Sequence, residues 1–195
     1  MNLILFDFDK TLTFKDSFIE FLKFAIPKRT LIIKGFFLFP HYLLYKFNLY
    51  SAEKFKIKVL TSFFYNQSQK QMQLLGLQFS TNKIPKILNK ELVKKLDNHI
   101  TKGDKVVLVS ASLDIWLKPW AESKSIDLIC TQLYFNEEIF KGSLYGTNCN
   151  GPEKKVQVTK QYDLKSYSKI ICYGNKGGDD ELLSLASSNK HKNII

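Results

Sequence analysis

Apolar positions recur along this chain in two rhythms, and the change from one to the other divides it. Residues 2–6, with the apolar run Leu3 to Phe6, read as a buried strand. From Asp16 to about residue 81 the apolar positions return every three or four residues, which predicts helices. Asp16 is placed to cap a first helix carrying Phe18, Phe21, Leu22 and Ile26. Pro27 starts a new segment. Leu31 to Phe47 is apolar nearly throughout, with Pro40 expected to break or kink it. Ser51-Ala52-Glu53 opens a third helix running to about Tyr65, and a fourth runs from about Ser68 to Phe79.

From Pro85 the pattern alternates. Residues 85 to about 100 predict one helix, Lys105 to Val109 a buried strand, and Leu113 to about Ser123 a helix. A strand is expected over Ile126 to Cys130, then a short hairpin over Phe135 to Leu144 turning at Asn136-Glu137-Glu138. Pro152 to Tyr162 predicts a helix, Lys169 to Tyr173 a strand and Asp179 to Ala186 a last helix. Strands alternating with helices predict an α/β fold with a doubly wound, parallel, Rossmann-like sheet. The helical block is then an insertion after the first strand. The expected division is a core of residues 1–14 and 84–195 and an all-helical cap of residues 15–83.

Charge sharpens that division. Of the net +11, all lies between Phe21 and Lys90, where twelve basic residues meet one acid, Glu53. The same segment holds fourteen of the 27 aromatic residues. A basic, aromatic-rich block joined to a neutral one predicts that the first meets an anionic surface while the second does chemistry. The alternative is a compositional bias toward Lys and Phe. The charge-free, strongly apolar stretch Gly35 to Tyr45 is too short to cross a bilayer, which takes about twenty residues. It fits either a membrane interface or the core of a helical subdomain. The basic residues are interleaved with large aliphatics, which suits a lipid face better than nucleic acid, so no nucleic-acid partner is expected. Three scattered cysteines (Cys130, Cys149, Cys172), with no Cys-x-x-Cys pair, predict a reducing compartment and no zinc site. The first residues read as a core strand rather than a signal peptide, so the expected location is the cytoplasm, with the cap at most peripheral to the inner membrane.

The chemistry begins where the first strand ends, at Asp7-Phe8-Asp9-Lys10-Thr11. Two carboxylates held close repel and lose hydration unless positive charge lies between them. A hard divalent cation with oxygen ligands is the usual remedy, so this reads as a metal site with a carboxylate available as nucleophile. In an open parallel sheet the active site lies at the carboxyl ends of the strands. A second strand ends at Ser110-Ala111-Ser112, whose hydroxyl and free N–H groups suit a phosphate oxygen. A third runs into Gly174-Asn175-Lys176-Gly177-Gly178-Asp179-Asp180, rich in oxygen ligands. Cys149-Asn150-Gly151-Pro152-Glu153-Lys154 puts a lysine at a helix start, where it can neutralise a carboxylate and a phosphate together.

Taken in order, Asp-x-Asp-x-Thr, strand-Ser, helix-start Lys and the acidic glycine loop resemble the haloacid dehalogenase superfamily of phosphohydrolases over nearly the whole chain. The helical insertion resembles the cap of its phosphoserine-phosphatase-like branch. Cys-x-Gly-x-Glu-Lys followed by Tyr-Gly-x-x-x-x-Asp is similar to bacterial phosphatidylglycerophosphatase C and relatives. The resemblance implies Asp7 as nucleophile, forming an aspartyl-phosphate, and Asp9 as acid and then base. It implies Thr11, Ser110, Ala111 and Lys154 around the phosphoryl group, with Lys155 the alternative lysine. Mg²⁺ would be held by Asp7, the carbonyl of Asp9, Asn175 and Asp179. Asn175 stands where the family usually has an Asp, and Lys10 where it often has Gly, so weaker metal binding is expected. The implied substrate is a phosphorylated small molecule or a lipid phosphate. Three readings stay open: a lipid phosphatase, a soluble phosphatase acting on something like phosphoserine, and a phosphate-binding module that has lost activity. Trp116, Trp120, His41 and His99 read as structural.

Overall fold

The computed structural model describes the backbone of residues 1–195 and every side chain except that of Lys190. Six strands form one sheet in the order β4-β3-β2-β1-β5-β6, with β1 (Leu3–Phe6), β2 (Lys105–Leu113), β3 (Asp127–Asn136), β4 (Ile139–Tyr145), β5 (Ile170–Gly174) and β6 (Lys192–Ile194). All neighbours are parallel except β3 and β4. The short β1 is central, paired to β2 and β5, and wholly buried, as a strand covered on both faces must be. Its alternation feeds two cores. Ile4 and Phe6 face one layer with Leu92, Leu96, Trp116 and Trp120; Leu3 and Leu5 face the other with Val158, Leu182 and Leu183. Helices on both faces of a largely parallel sheet make the doubly wound α/β architecture expected from the alternation.

Six α-helices stand between β1 and β2, of which the first four are α1 (Ser17–Ala25), α2 (Lys28–Lys46), α3 (Ala52–Phe64) and α4 (Gln69–Asn82). Their starts follow from side-chain caps. Asp16, Ser51 and Ser68 accept from the N–H of Ile19, Lys54 and Gln71, and Gln71 completes a capping box. The insertion is tied to the sheet layer through Trp116 of α7 (Asp114–Ser123), whose buried indole stacks on Phe21 at 4.6 Å and meets Phe79 edge-on at 5.8 Å. Gly76 lets α4 close on α7. A Cβ there would sit 2.1 Å from the carbonyl oxygen of Ile115, so only glycine permits the approach.

The structure departs from the sequence pattern in five places. Residues 85–100 are two helices, α5 (Ile84–Ile87) and α6 (Lys90–Thr101), because Leu88 and Asn89 pair with the chain after the first motif. The N–H of Asn89 donates to Leu12 O at 2.8 Å, and its side chain caps α6. Pro40 neither breaks nor ends α2. It lies on an exposed side, where the carbonyl it leaves without a partner can reach solvent. The strand after Ile126 runs on into the hairpin as one element, β3–β4, turning through Glu137 and Glu138, both at positive φ. The last helix, α9, spans only Asp180–Leu183, since Ser187 turns to bond the backbone of Ile170 instead. The edge strand β6 has no clear signal in the sequence.

Candidate active site

The ends of β2, β1 and β5 stand side by side, so the loops that follow them meet. Asp7 leaves β1 in extended backbone, and the chain then makes a tight turn over Phe8–Leu12 with Lys10 at φ 59°. That positive φ is where a glycine would be unstrained, and a lysine accepts the strain. Thr13 secures the turn through its N–H to Phe8 O at 3.0 Å, with its hydroxyl between Phe8 O and Lys15 O.

Lys154 holds the centre. It enters from α8 (Pro152–Gln161), is 3% exposed, and places Nζ 2.5 Å from both Asp7 Oδ1 and Asp179 Oδ1. Lys155, the alternative lysine, points away to Ser184 Oγ at 3.1 Å and is the wrong residue for this position. Burial alone would push the Lys154 proton off, but the two carboxylates outweigh it and hold the amine charged well above its ordinary range. Asp7 is pushed up to about 6, first by burial and then by Asp179, with Lys154 opposing. One lysine against two carboxylates leaves the cluster one positive charge short. Asp7 Oδ2 and the hydroxyl of Thr11 are buried with no partner. Unsatisfied buried oxygens in a site short of positive charge fit a hard cation and an anionic ligand.

Asn175 completes the ring. Its backbone N–H donates to Asp179 Oδ2 at 2.9 Å, and its side-chain amide donates to the carbonyl of Asp9 at 3.2 Å. Gly174 makes room, because a Cβ there would lie 2.8 Å from Asp179 Cβ. Asp180 only accepts from Gly177 N–H at the start of α9. The available donors are two carboxylates and two neutral oxygens, and no cluster of three His, Cys, Asp or Glu suited to a metal occurs among the described residues. Such a set suits Mg²⁺ better than a soft metal.

Asp9 is held apart from that cluster. Oδ1 accepts from Ser17 N–H at 2.6 Å and Oδ2 from Ser112 Oγ at 2.5 Å. Ser17 and Ser112 hydroxyls lie 2.7 Å apart, and the Trp116 indole donates to Ser17 Oγ at 3.3 Å. Ser112 gives its one hydroxyl proton to Asp9, so Ser17 donates to Ser112 and the chain points one way, from Trp116 through Ser17 and Ser112 to Asp9. Burial and the charge of Asp16 raise the Asp9 carboxyl above its ordinary value. Ser110 is buried at the end of β2 and accepts from Ser112 N–H at 3.1 Å. The sequence places Ser17 at the entry to the helical segment, as a cap or a substrate contact, and Ser112 at a strand end; their meeting depends on α1 folding back on β2.

Lys56 was not legible at all. It comes from α3, reaches the carbonyl of Ala111 and Oδ1 of Asn148, each at 2.5 Å, and is pushed down to about 8 by burial, with Asp9 and Asp16 opposing. One turn earlier, Glu53 accepts from Asn148 N–H at 2.8 Å. Asp16, Lys56, Ala111 and Asn148 floor a cavity of about 580 Å³ whose walls are apolar: Phe18, Leu22, Leu38, Phe39, Tyr42 and Phe55. A groove of about 610 Å³ between α4, α7 and the β3–β4 hairpin holds none of the motif residues. His99 joins Asp104 at 2.9 Å and Tyr173 at 3.1 Å, a link between α6 and β5 rather than a metal ligand. Burial pushes the Cys149 thiol up to about 11 and Cys172 up to about 12, which leaves neither a nucleophile at neutral pH.

The family model of haloacid dehalogenase-like hydrolases matches residues 4–184. Protein CicA of Caulobacter vibrioides is 30% identical over 193 residues, 97% of this chain and 85% of that protein. A crystal structure of a protein with unknown function from Bordetella pertussis Tohama I superposes with a TM-score of 0.79 at 22% identity, covering 95% of this chain and 87% of that one. A phosphoserine phosphatase bearing a phospho-aspartyl intermediate analogue superposes with a TM-score of 0.63 at 18% identity, covering 95% and 83%. These two show a shared fold. With the family match running from β1 through α9 and covering every motif described above, the chain belongs to the haloacid dehalogenase-like hydrolases.

Proposed function

We propose that the protein is a phosphatase that hydrolyses an amphipathic phosphomonoester, such as a lipid phosphate, through an aspartyl-phosphate on Asp7. The observation that carries the reading is the Asp7–Lys154–Asp179 cluster, with its partnerless Asp7 Oδ2, close to a polar-floored, apolar-walled cavity. Asp7 Oδ2 has the free lone pairs a nucleophile needs. It forms the bond to phosphorus as the ester P–O bond breaks, and the leaving alkoxide takes the proton from Asp9. Asp9 then takes a proton from water, the new hydroxide attacks phosphorus, and the Asp7 carboxylate is released. Lys154, Ser110 and Thr11 face the charge spread over the phosphoryl oxygens. The chain from Trp116 through Ser17 and Ser112 keeps the Asp9 carboxyl aimed. Asp7, the Asp9 carbonyl, Asp179 and Asn175, with its amide flipped, would hold Mg²⁺, which supplies the positive charge the cluster lacks.

The same reading makes residues 15–83 a cap over the site, with Lys56 as the positive group it lends to the substrate. The apolar cavity walls and the exposure of Phe36 (78%) and Phe37 (71%) favour a lipid phosphate over a soluble phosphoserine-like ester. A soluble phosphatase should instead bury these rings in its own core. Such an enzyme works at a lipid surface. The test is phosphate release with Mg²⁺ from a panel of an aryl phosphate, phosphoserine and lipid phosphates, phosphatidylglycerophosphate among them. Highest kcat/KM on a lipid phosphate is expected. Preference for phosphoserine would return the protein to the soluble class, and no release from any ester would leave a phosphate-binding module.

A further inference from the structure

We propose that the outward face of α2 is a docking surface for an anionic lipid bilayer, and that the helix lies along that surface. Exposure separates three faces of α2. Leu31, Lys34, Leu38 and His41, three or four apart, turn inward, and Lys34 bonds the carbonyl of Ser62 and lies over the Phe63 ring at 5.5 Å. Gly35, Phe39 and Tyr42 line the cavity. Ile32, Ile33, Phe36, Phe37, Leu43 and Phe47 face solvent. At 3.6 residues per turn these six fall within one arc of about 140°, running about 24 Å along the helix. A helix that is apolar on every side is ordinarily buried on every side. Among the described residues nothing covers this arc, and Phe47 at its end is 70% exposed.

Charge names the occupant. Lys28 and Arg29 stand exposed at one end of the arc and Lys46 at the other. Glu53, the single acid between Phe21 and Lys90, is turned inward onto Asn148 N–H, so it does not offset them. An apolar strip flanked by basic groups, with no acid on it, matches the acyl and headgroup layers of an anionic leaflet. A second copy would bring two basic surfaces together, and repulsion opposes that pairing. No helix is long and apolar enough to cross a membrane, so the surface mode is the one left to α2. Because the cavity-lining side chains are the next face round the helix, a lipid held there would have its chains toward the bilayer and its phosphate toward Lys56. That last point rests on the phosphatase reading; the docking itself does not.

The experiment is co-sedimentation of the full chain with phosphatidylcholine vesicles, with and without phosphatidylglycerol. Binding is expected with phosphatidylglycerol at low salt, and added salt should release it. The double variant Phe36→Ser/Phe37→Ser should bind at least about tenfold more weakly, since apolar insertion is lost. Lys28→Glu/Arg29→Glu/Lys46→Glu should lose the preference for anionic vesicles. Neither set touches the site, so turnover of a soluble aryl phosphate should be unchanged. Absence of binding to anionic vesicles at low salt overturns the docking surface, as does wild-type binding by Phe36→Ser/Phe37→Ser. A concentration-dependent dimer that this double variant abolishes would also overturn it, by assigning the face to a second copy. Vesicle binding without any aryl phosphate turnover would instead sink the phosphatase reading and leave the docking surface standing.

Discussion

The end of β1 and the outer face of α2 depart from ordinary burial in opposite senses. At the end of β1, Asp7, Lys154 and Asp179 are all at most 3% exposed, although charged groups belong in water. On α2, Phe36, Phe37 and Phe47 stand in solvent, although large apolar rings belong inside. Folding stability accounts for neither. Burying three charges costs desolvation that their mutual attraction repays only in part, and exposing aromatic rings forfeits burial at about 25 cal/mol per Å². Each region is therefore unfinished without something from outside. On the readings proposed above, the charged cluster takes a cation and a phosphoryl group, and the helix face takes an anionic bilayer. Lys56 of α3 stands between them, half-buried on the carbonyl of Ala111 and Oδ1 of Asn148.

The comparison breaks hardest at Asp7. Asp7→Asn should lower kcat by at least about a thousandfold, because an amide is a poor nucleophile. The fold should survive, since the substitution removes a carboxylate that burial already disfavours. A residual kcat above about a tenth of wild type would remove Asp7 from the nucleophile's place.

Lys154→Met comes next, with a loss of about 3–5 kcal/mol in unfolding free energy from leaving two buried carboxylates without their partner. The sign with pH follows from Asp7. Its folded value, about 6, lies above its ordinary 3.8, so the fold prefers the protonated acid, and this contribution to stability falls as pH rises through that window. Removing Lys154 should steepen the fall. Melting temperatures taken from pH 7 down to pH 5 should recover more in the variant than in wild type. Parallel curves would show that Lys154 does not bear on these carboxylates.

A smaller effect is expected at Asn175. Asn175→Asp restores a charged oxygen, so half-saturation by Mg²⁺ in the activity assay should fall several-fold. Without Mg²⁺ the new carboxylate would face the Asp9 carbonyl, and the melting temperature should drop, then recover on adding the ion. An unchanged half-saturation would place Asn175 away from the metal.

Lys56→Met should change stability least. Replacing a buried cation by an apolar chain of similar size is often neutral or gains about 1 kcal/mol at neutral pH. In wild type the folded amine is pushed down to about 8 from 10.5, so the fold prefers it neutral, and stability should rise as pH climbs from 8 to 10.5. The variant should lack that rise, while KM for the phosphate ester increases. Equal slopes in the two proteins would mean that burial does not lower the Lys56 amine below its ordinary value.

Much of this architecture was legible. Helices α1, α3 and α4 begin where Asp16, Ser51 and Ser68 said they would, because a cap is a local hydrogen bond. Asp7 and Asp9 follow the end of β1 by one and three residues, which put them at the carboxyl edge of any parallel sheet. The break at Leu88 and Asn89 was not legible, since its cause is a pairing with Leu12 and Phe14 more than seventy residues earlier in the chain. The choice of Lys154 over Lys155 likewise rested on the phase of α8, which one residue of uncertainty in its start would reverse.

By itself the sequence determined the alternation of strand and helix, the carboxylates at the strand ends and the one-sided charge, because each is a property of neighbours in the chain. Only the tertiary structure decided which lysine sits between Asp7 and Asp179, that two serines from distant segments carry a directed chain of hydrogen bonds to Asp9, and that Lys56 reaches across to Ala111. It also decided which faces of the all-apolar α2 are covered and which is left open. These are contacts between residues far apart in sequence, and periodicity along one helix cannot say which side another element will cover.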